Sequence, residues 1–164
     1  LGQYESARAY FDEAGRLARQ SKSDQFAFQS SLGLATLALL EGAPPTAAWP
    51  HVQDCLTYYR DHGAKPARFN RLSDVLALYA ARAGDAPLAA RLLARADALR
   101  RDAHLPPRFA NVRPVYERAL AFIRQALDDA AQEAVARQGE ATSEMELLAD
   151  VARIGAAQIG ATKT

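Results

Sequence analysis

Glycine recurs at Gly2, Gly42 and Gly84, 40 and then 42 residues apart, and the residues behind the first and third of these repeat as well. Tyr4, Ala7, Phe11 and Ala14 follow Gly2 at the offsets at which Ala86, Ala89, Leu93 and Ala96 follow Gly84. Small residues on either side of a large apolar one, at helical spacing, let a second helix approach closely on that face. Recurrence at a fixed period makes the unit a pair of helices that buries its apolar side against its neighbours. The composition leans the same way. Alanine and leucine supply much of the 49% hydrophobic content, and both lose little conformational freedom in a helix. A chain of 164 residues supports one core of ordinary size.

The individual helices follow from apolar periodicity. Ser23 to Glu41 carries Phe26, Ala27, Leu34, Leu37 and Leu40, and its companion, Thr46 to His62, carries Trp49, Val52, Leu56 and Tyr59. Pro44, Pro45 and Pro50 fall before that companion and in its first turn, where a missing N–H costs little. Gly63 is its expected stop. Phe69, Leu72, Val75 or Leu76, and Tyr79 form the next stripe, ending near Gly84. Asp85 is placed to cap a helix with Leu88, Leu92, Leu93, Ala96 and Leu99 on one side. Pro106-Pro107 ends it. From Pro114, the positions Val115, Leu120, Ile123 and Leu127 predict a long helix, with Ala130, Ala131 and Val135 continuing it or forming a short one until Gly139 breaks the pattern. Ser143 and Glu146 have capping-box spacing at the head of a last helix with Leu147, Leu148, Val151 and Ile154. No segment alternates with period two. The expected class is all-α, an α-α superhelix of antiparallel helix pairs.

Charge and composition narrow the function classes. The 20 basic and 19 acidic side chains are interspersed, whereas a nucleic-acid surface needs concentrated basic charge. The longest apolar run, Leu32 to Leu40, contains Thr36 and is far short of the ~20 residues of a membrane span. A single cysteine, Cys55, excludes an intramolecular disulfide and fits a reducing compartment. The start, Leu1-Gly2-Gln3-Tyr4, shows no signal-peptide pattern. A cytoplasmic fragment of a longer protein is therefore expected, with neither membrane contact nor direct contact with nucleic acid.

The stretch Gly2-Tyr4-Ala7-Phe11-Ala14 resembles the second helix of a tetratricopeptide repeat, in a long variety of about 40 residues. On that reading the partner helix of the first pair is missing. The second half carries a further resemblance. Ala89-Ala90-Arg91-Leu92-Leu93, Asp97-Ala98-Leu99-Arg100, Leu105-Pro106-Pro107, Tyr116-Glu117-Arg118-Ala119-Leu120, Ala126-Leu127, Gly139 and the Ser143 to Ala149 helix start occur in that order. The series resembles the C-terminal repeat region of large bacterial transcriptional activators of the signal-transducing ATPase class, with LuxR-type or winged-helix-type DNA-binding domains. That resemblance implies a tetratricopeptide-like domain over residues 1–164, with repeat pairs in 1–102 and capping helices in 103–164. It implies a sensor or interaction module, not an enzyme, whose partners are a protein or small-molecule effector and the other domains of the full chain. The competing reading is a protein–protein scaffold in another signalling protein, such as a cyclase or kinase fusion. Two departures stand out. Arg108 to Val115 looks like an insertion of about three residues, and His51 and Asp54 stand where the second repeat should carry an apolar and a small residue.

In tetratricopeptide-like arrays the first helix of each pair lines the concave surface. Projecting that register with Gly42 and Gly84 as markers places Gln29, Thr36, Arg71, Asp74, Leu78 and Arg82 there. Arg71 and Arg82 could hold a carboxylate; the plainer account makes them exposed helix charges. No cofactor and no metal is expected. His51 and Cys55 share a helix face, but two ligands do not make a site, and a Cys–His nucleophile would also need an oxyanion hole. The Gly-Leu-Ala stretch within Leu32 to Ala35 lacks a phosphate-loop pattern and reads as a small helix-contact position. Asp128-Asp129 fits turn capping, and Arg91, Arg95, Arg100 and Arg101, interleaved with Asp97 and Asp102, fit a solvated helix face.

Overall fold

The computed structural model describes residues 2–63, 65–106, 108 and 112–161. Among them it has eight helices and no strand: α1 (Gly2–Gln20), α2 (Asp24–Leu40), α3 (Pro45–His62), α4 (Pro66–Arg82), α5 (Ala86–Asp102), α6 (Arg113–Ala126), α7 (Asp129–Ala141) and α8 (Glu144–Ala161). The all-α expectation holds, and within the two units α1 packs on α2, α2 on α3 and α4 on α5.

Four of these helices stop in the same way. In each, the N–H of one residue past the end reaches back three residues and the next N–H reaches back five, the bonding of a Schellman motif. The pairs are Lys22→Arg19 with Ser23→Ala18, Gly42→Leu39 with Ala43→Ala38, Gly84→Ala81 with Asp85→Ala80, and His104→Arg101 with Leu105→Arg100. The motif needs a left-handed residue, and Gly42 (φ 86°) and Gly84 (φ 91°) supply it at no steric cost, while Lys22 (φ 53°) and His104 (φ 50°) do not. The glycine spacing is thus a spacing of helix stops, with two further stops hidden behind a lysine and a histidine. Gly2 differs, since it lies within α1.

The start signals differ in strength. The Asp85 carboxylate accepts from the Leu88 N–H at 2.8 Å and the Asp128 carboxylate from the Ala131 N–H at 2.8 Å, as N-caps do. Ser143 and Glu146 close the expected capping box: the Ser143 N–H donates to Glu146 Oε2 at 3.0 Å and the Glu146 N–H to Ser143 Oγ at 3.3 Å. The Ser143 hydroxyl also donates to Glu146 Oε2 at 2.8 Å, and this bond together with that from the Ser143 N–H holds the Glu146 carboxyl below its ordinary range. Pro50 departs from expectation. It is the sixth residue of α3, beyond the first turn, and its ring is exposed.

The helices fall into two compact units, residues 1–62 and 63–164. In the first, α2 packs against α1 and α3. Phe11 crosses α2 at Gly33, where an added Cβ would lie 2.5 Å from the ring. In the second, α5 packs against α4, α6, α7 and α8. In this unit α6 and α8 pack on both α4 and α5, and α7 packs on α5.

The weak second repeat has a simple cause. Helix α5 begins two residues after Gly84, but α3 begins three residues after Gly42. Counted from their first residues, α5 buries Ala89, Leu93 and Ala96 at offsets 3, 7 and 10, and α3 buries Ala48, Val52 and Cys55 at the same offsets. One extra turn residue moved the pattern off His51 and Asp54.

Gly139 does not break a helix. It sits inside α7, buried, where an added Cβ would meet the Arg91 backbone at 2.5 Å (O) and 2.6 Å (Cα). The chain instead breaks at Leu127, whose extended backbone (φ −126°, ψ 134°) separates α6 from the Asp128 cap. Gly139→Ala should lower the unfolding free energy by about 1–3 kcal/mol in urea titrations, the usual effect of overpacking. Gly160→Ala, with open space around it, should be neutral or stabilising by up to about 1 kcal/mol. Lys22→Gly should raise stability by less than about 1 kcal/mol, because relief of the left-handed residue outweighs the added unfolded-chain freedom.

Candidate functional site

The six residues projected onto an open concave face meet different fates. In the first unit Gln29 and Thr36 are half-buried on α2, and the Thr36 hydroxyl donates back to the Leu32 carbonyl at 2.7 Å. In the second unit Arg71, the sixth residue of α4, is exposed and Arg82, its last, is half-buried. Between them Asp74 is 1% and Leu78 0% exposed. The middle of the expected face is therefore interior. It is covered because α6 packs on α4 and Arg108 closes over Asp74.

Arg108 organises this region. Its Nε donates to both oxygens of Asp74, at 3.0 and 3.2 Å, and its Nη1 pairs with Asp97 of α5 at 2.7 Å. Its guanidinium carbon lies 3.9 Å from the centre of the Tyr116 ring on α6. One arginine thus ties α4, α5 and α6 together. It belongs to the stretch 108–115 that reads as an insertion, of which Phe109, Ala110 and Asn111 lie outside the described residues. Burial pushes the Asp74 carboxyl above its ordinary range, opposed by the charge and hydrogen bonds of Arg108.

Next to this pair lies an open pocket of about 520 Å³, lined by Arg100, Arg101, Leu105, Arg108, Arg113 and Tyr116. The C-terminal turn of α5, Leu105 and Arg108 after it, and the first turn of α6 contribute to its walls. Arg101 pairs with Glu140 of α7 at 2.8 Å, and Arg100 Nη1 donates to the Pro106 carbonyl at 2.6 Å. Arg100 and Arg113 have no ion-pair partner among the described residues. Sequence reasoning noticed Arg100 and Arg101 but missed Arg108, Arg113 and Tyr116, which converge only once α6 folds back.

The basic group on α5 is an inter-helix seam, not a solvated face. Arg91 pairs with Asp150 of α8 at 3.0 Å, and Arg95 with Glu144 of α8 at 2.7 Å while also donating to the Glu140 carbonyl at 2.9 Å. Three of the four arginines read from the sequence as one basic group thus face carboxylates of α7 and α8.

Elsewhere the chemistry is structural. Cys55 is fully buried with its thiol aimed at the Phe28 carbonyl 4.0 Å away, and desolvation pushes its pKa well up, so little thiolate forms. Desolvation lowers the pKa of half-buried His51, against the pull of Asp54 and Asp12. The Tyr58 ring stacks on Phe28 at 4.7 Å and on His62 at 4.2 Å, which makes that aromatic group core packing. Among the described residues there is no group of three or more His, Cys, Asp and Glu able to hold a metal, and no helix is long and apolar enough to cross a membrane.

The fold and side-chain geometry thus define an all-helical protein of packed helix pairs. No protein-family model matches the chain, and neither does any curated protein or solved structure in the comparisons made.

Arg108→Met should cost about 3–5 kcal/mol in denaturant unfolding at neutral pH, because Asp74 is left buried without its counter-charge. With that charge gone the Asp74 pKa rises further. A carboxyl raised in the folded state favours folding below its unfolded pKa of about 3.9 and loses that contribution as pH climbs through the folded value. The deficit against the wild type should therefore be smaller at about pH 4.5 than at about pH 8. Adding Asp74→Leu to Arg108→Met should recover stability at the higher pH.

Proposed function

We infer that this chain is a non-catalytic binding module, the sensor or interaction part of a bacterial transcriptional regulator. The observation that carries the reading is the shared construction of the α2–α3 and α4–α5 pairs. Each first helix ends in a Schellman stop at a glycine, and each second helix buries positions 3, 7 and 10. Repeated helix pairs present outer side chains at a fixed period, which suits recognition of a ligand or a partner chain and requires no catalytic constellation. The resemblance of residues 84–149 to the activators' C-terminal region supplies the regulatory context. There, an effector acts by binding one state of the full protein more tightly than another.

Thermal-shift screening of the purified chain against small metabolites and peptides tests the binding half. A ligand at about 100 times its dissociation constant adds about 2.7 kcal/mol, several degrees in melting temperature for a chain of this size. A screen in which neither class moves the transition contradicts the reading. The regulatory half is tested by the remainder of the gene. A nucleotide-binding module with a helix-turn-helix or winged-helix segment is expected, and a cyclase or kinase domain overturns it.

A further inference from the structure

We propose that the arginine-walled pocket of the second unit binds a small phosphate-bearing molecule. This holds whatever protein the module serves in, because it rests on the pocket alone. The first support is charge. Among the described residues that line it, four of six are arginines and none is acidic. The nearby carboxylates Asp74, Asp97 and Glu140 are paired with Arg108 and Arg101, and Asp102 also acts on Arg101. Neither Arg100 nor Arg113 forms an ion pair with a carboxylate among the described residues, although the Arg100 charge also acts on Asp74.

A second support is a shortage of acceptors. Arg100 Nε and Arg108 Nη2 are buried with no hydrogen-bond partner among the described residues. Buried donors without acceptors are unfavourable, so an arriving anion that draws the Arg100 guanidinium toward it relieves a cost already present. The third is size and lining. About 520 Å³ accommodates a metabolite rather than a single ion, and Leu105 and Tyr116 offer apolar surface beside the cations.

Phosphate fits better than carboxylate. One carboxylate saturates a single arginine fork, whereas a phosphate group presents three terminal oxygens and nearly two charges to several forks at once. Arg100 and Arg101 come from the end of α5 and Arg113 from the start of α6, so the donors converge from two helices. Arg108, held by its two aspartates, is a fixed wall and not a mobile ligand.

The test is calorimetric titration of the full chain with pyrophosphate at about 0.15 M NaCl, where loose surface attraction is screened. Saturable binding of one pyrophosphate per chain is expected, with a dissociation constant on the order of 0.1–1 mM. Arg113→Gln, at an exposed position, should weaken it about tenfold, the loss of one charge-assisted contact. Arg124→Gln removes the same charge from the other end of α6 and should change it less than about twofold. Citrate should bind more weakly than pyrophosphate. Absence of saturable binding up to about 10 mM, equal weakening by the two variants, or citrate binding at least as tightly as pyrophosphate each overturns the proposal.

Discussion

Helix α5 is the constraint on which the second unit depends, because it is used on both sides. One side is apolar and small, with Leu88, Ala89, Leu92 and Ala96 at 0% exposure. Burying a leucine side chain contributes roughly 1.5–3 kcal/mol, and the intervening alanines let the neighbouring backbone come close enough for that packing to be dense. The other side carries Arg91, Arg95 and Arg101, which reach carboxylates on α7 and α8. At Gly139 the α7 backbone approaches α5 so closely that a methyl group would not fit. The C-terminal helices are therefore seated by a steric notch flanked by ion pairs.

The ion pairs divide by burial. Arg137–Glu133 and Arg16–Glu13 are exposed pairs within single helices, worth little. Arg108–Asp74 is different, with Asp74 almost wholly removed from water. Such a pair gains little net free energy over an apolar replacement, yet losing one partner is costly. Its consequence is geometric: Arg108 can satisfy Asp74, Asp97 and Tyr116 only if α4, α5 and α6 hold one arrangement. That arrangement also brings Arg113 and Tyr116 to the same pocket as Arg100 and Arg101.

Local signals in the sequence located the helices well. The Asp85 cap, the Ser143–Glu146 box and the apolar stripes are short-range features, and each is present in the fold. What escaped was non-local or steric. Lys22 and His104 occupy left-handed stops that a search for glycine passes over. One extra residue between Gly42 and α3 disguised the burial pattern of Ala48, Val52 and Cys55. Gly139 looked like a breaker because glycine disfavours helices in isolation, but contact with Arg91 requires it there. Asp74 and Leu78 of the projected binding face are buried for a similar reason. Periodicity shows which residues share a face and is silent on whether a later segment covers it, as Arg108 and α6 do.

The most direct test of this account is native-state amide hydrogen exchange resolved by peptide. If α5 is the element on which α4, α6, α7 and α8 converge, amides of residues 86–102 exchange only through global unfolding of the second unit. They should then be the slowest in that unit. Exchange across α5 at a markedly lower free energy than in α4 would contradict that account.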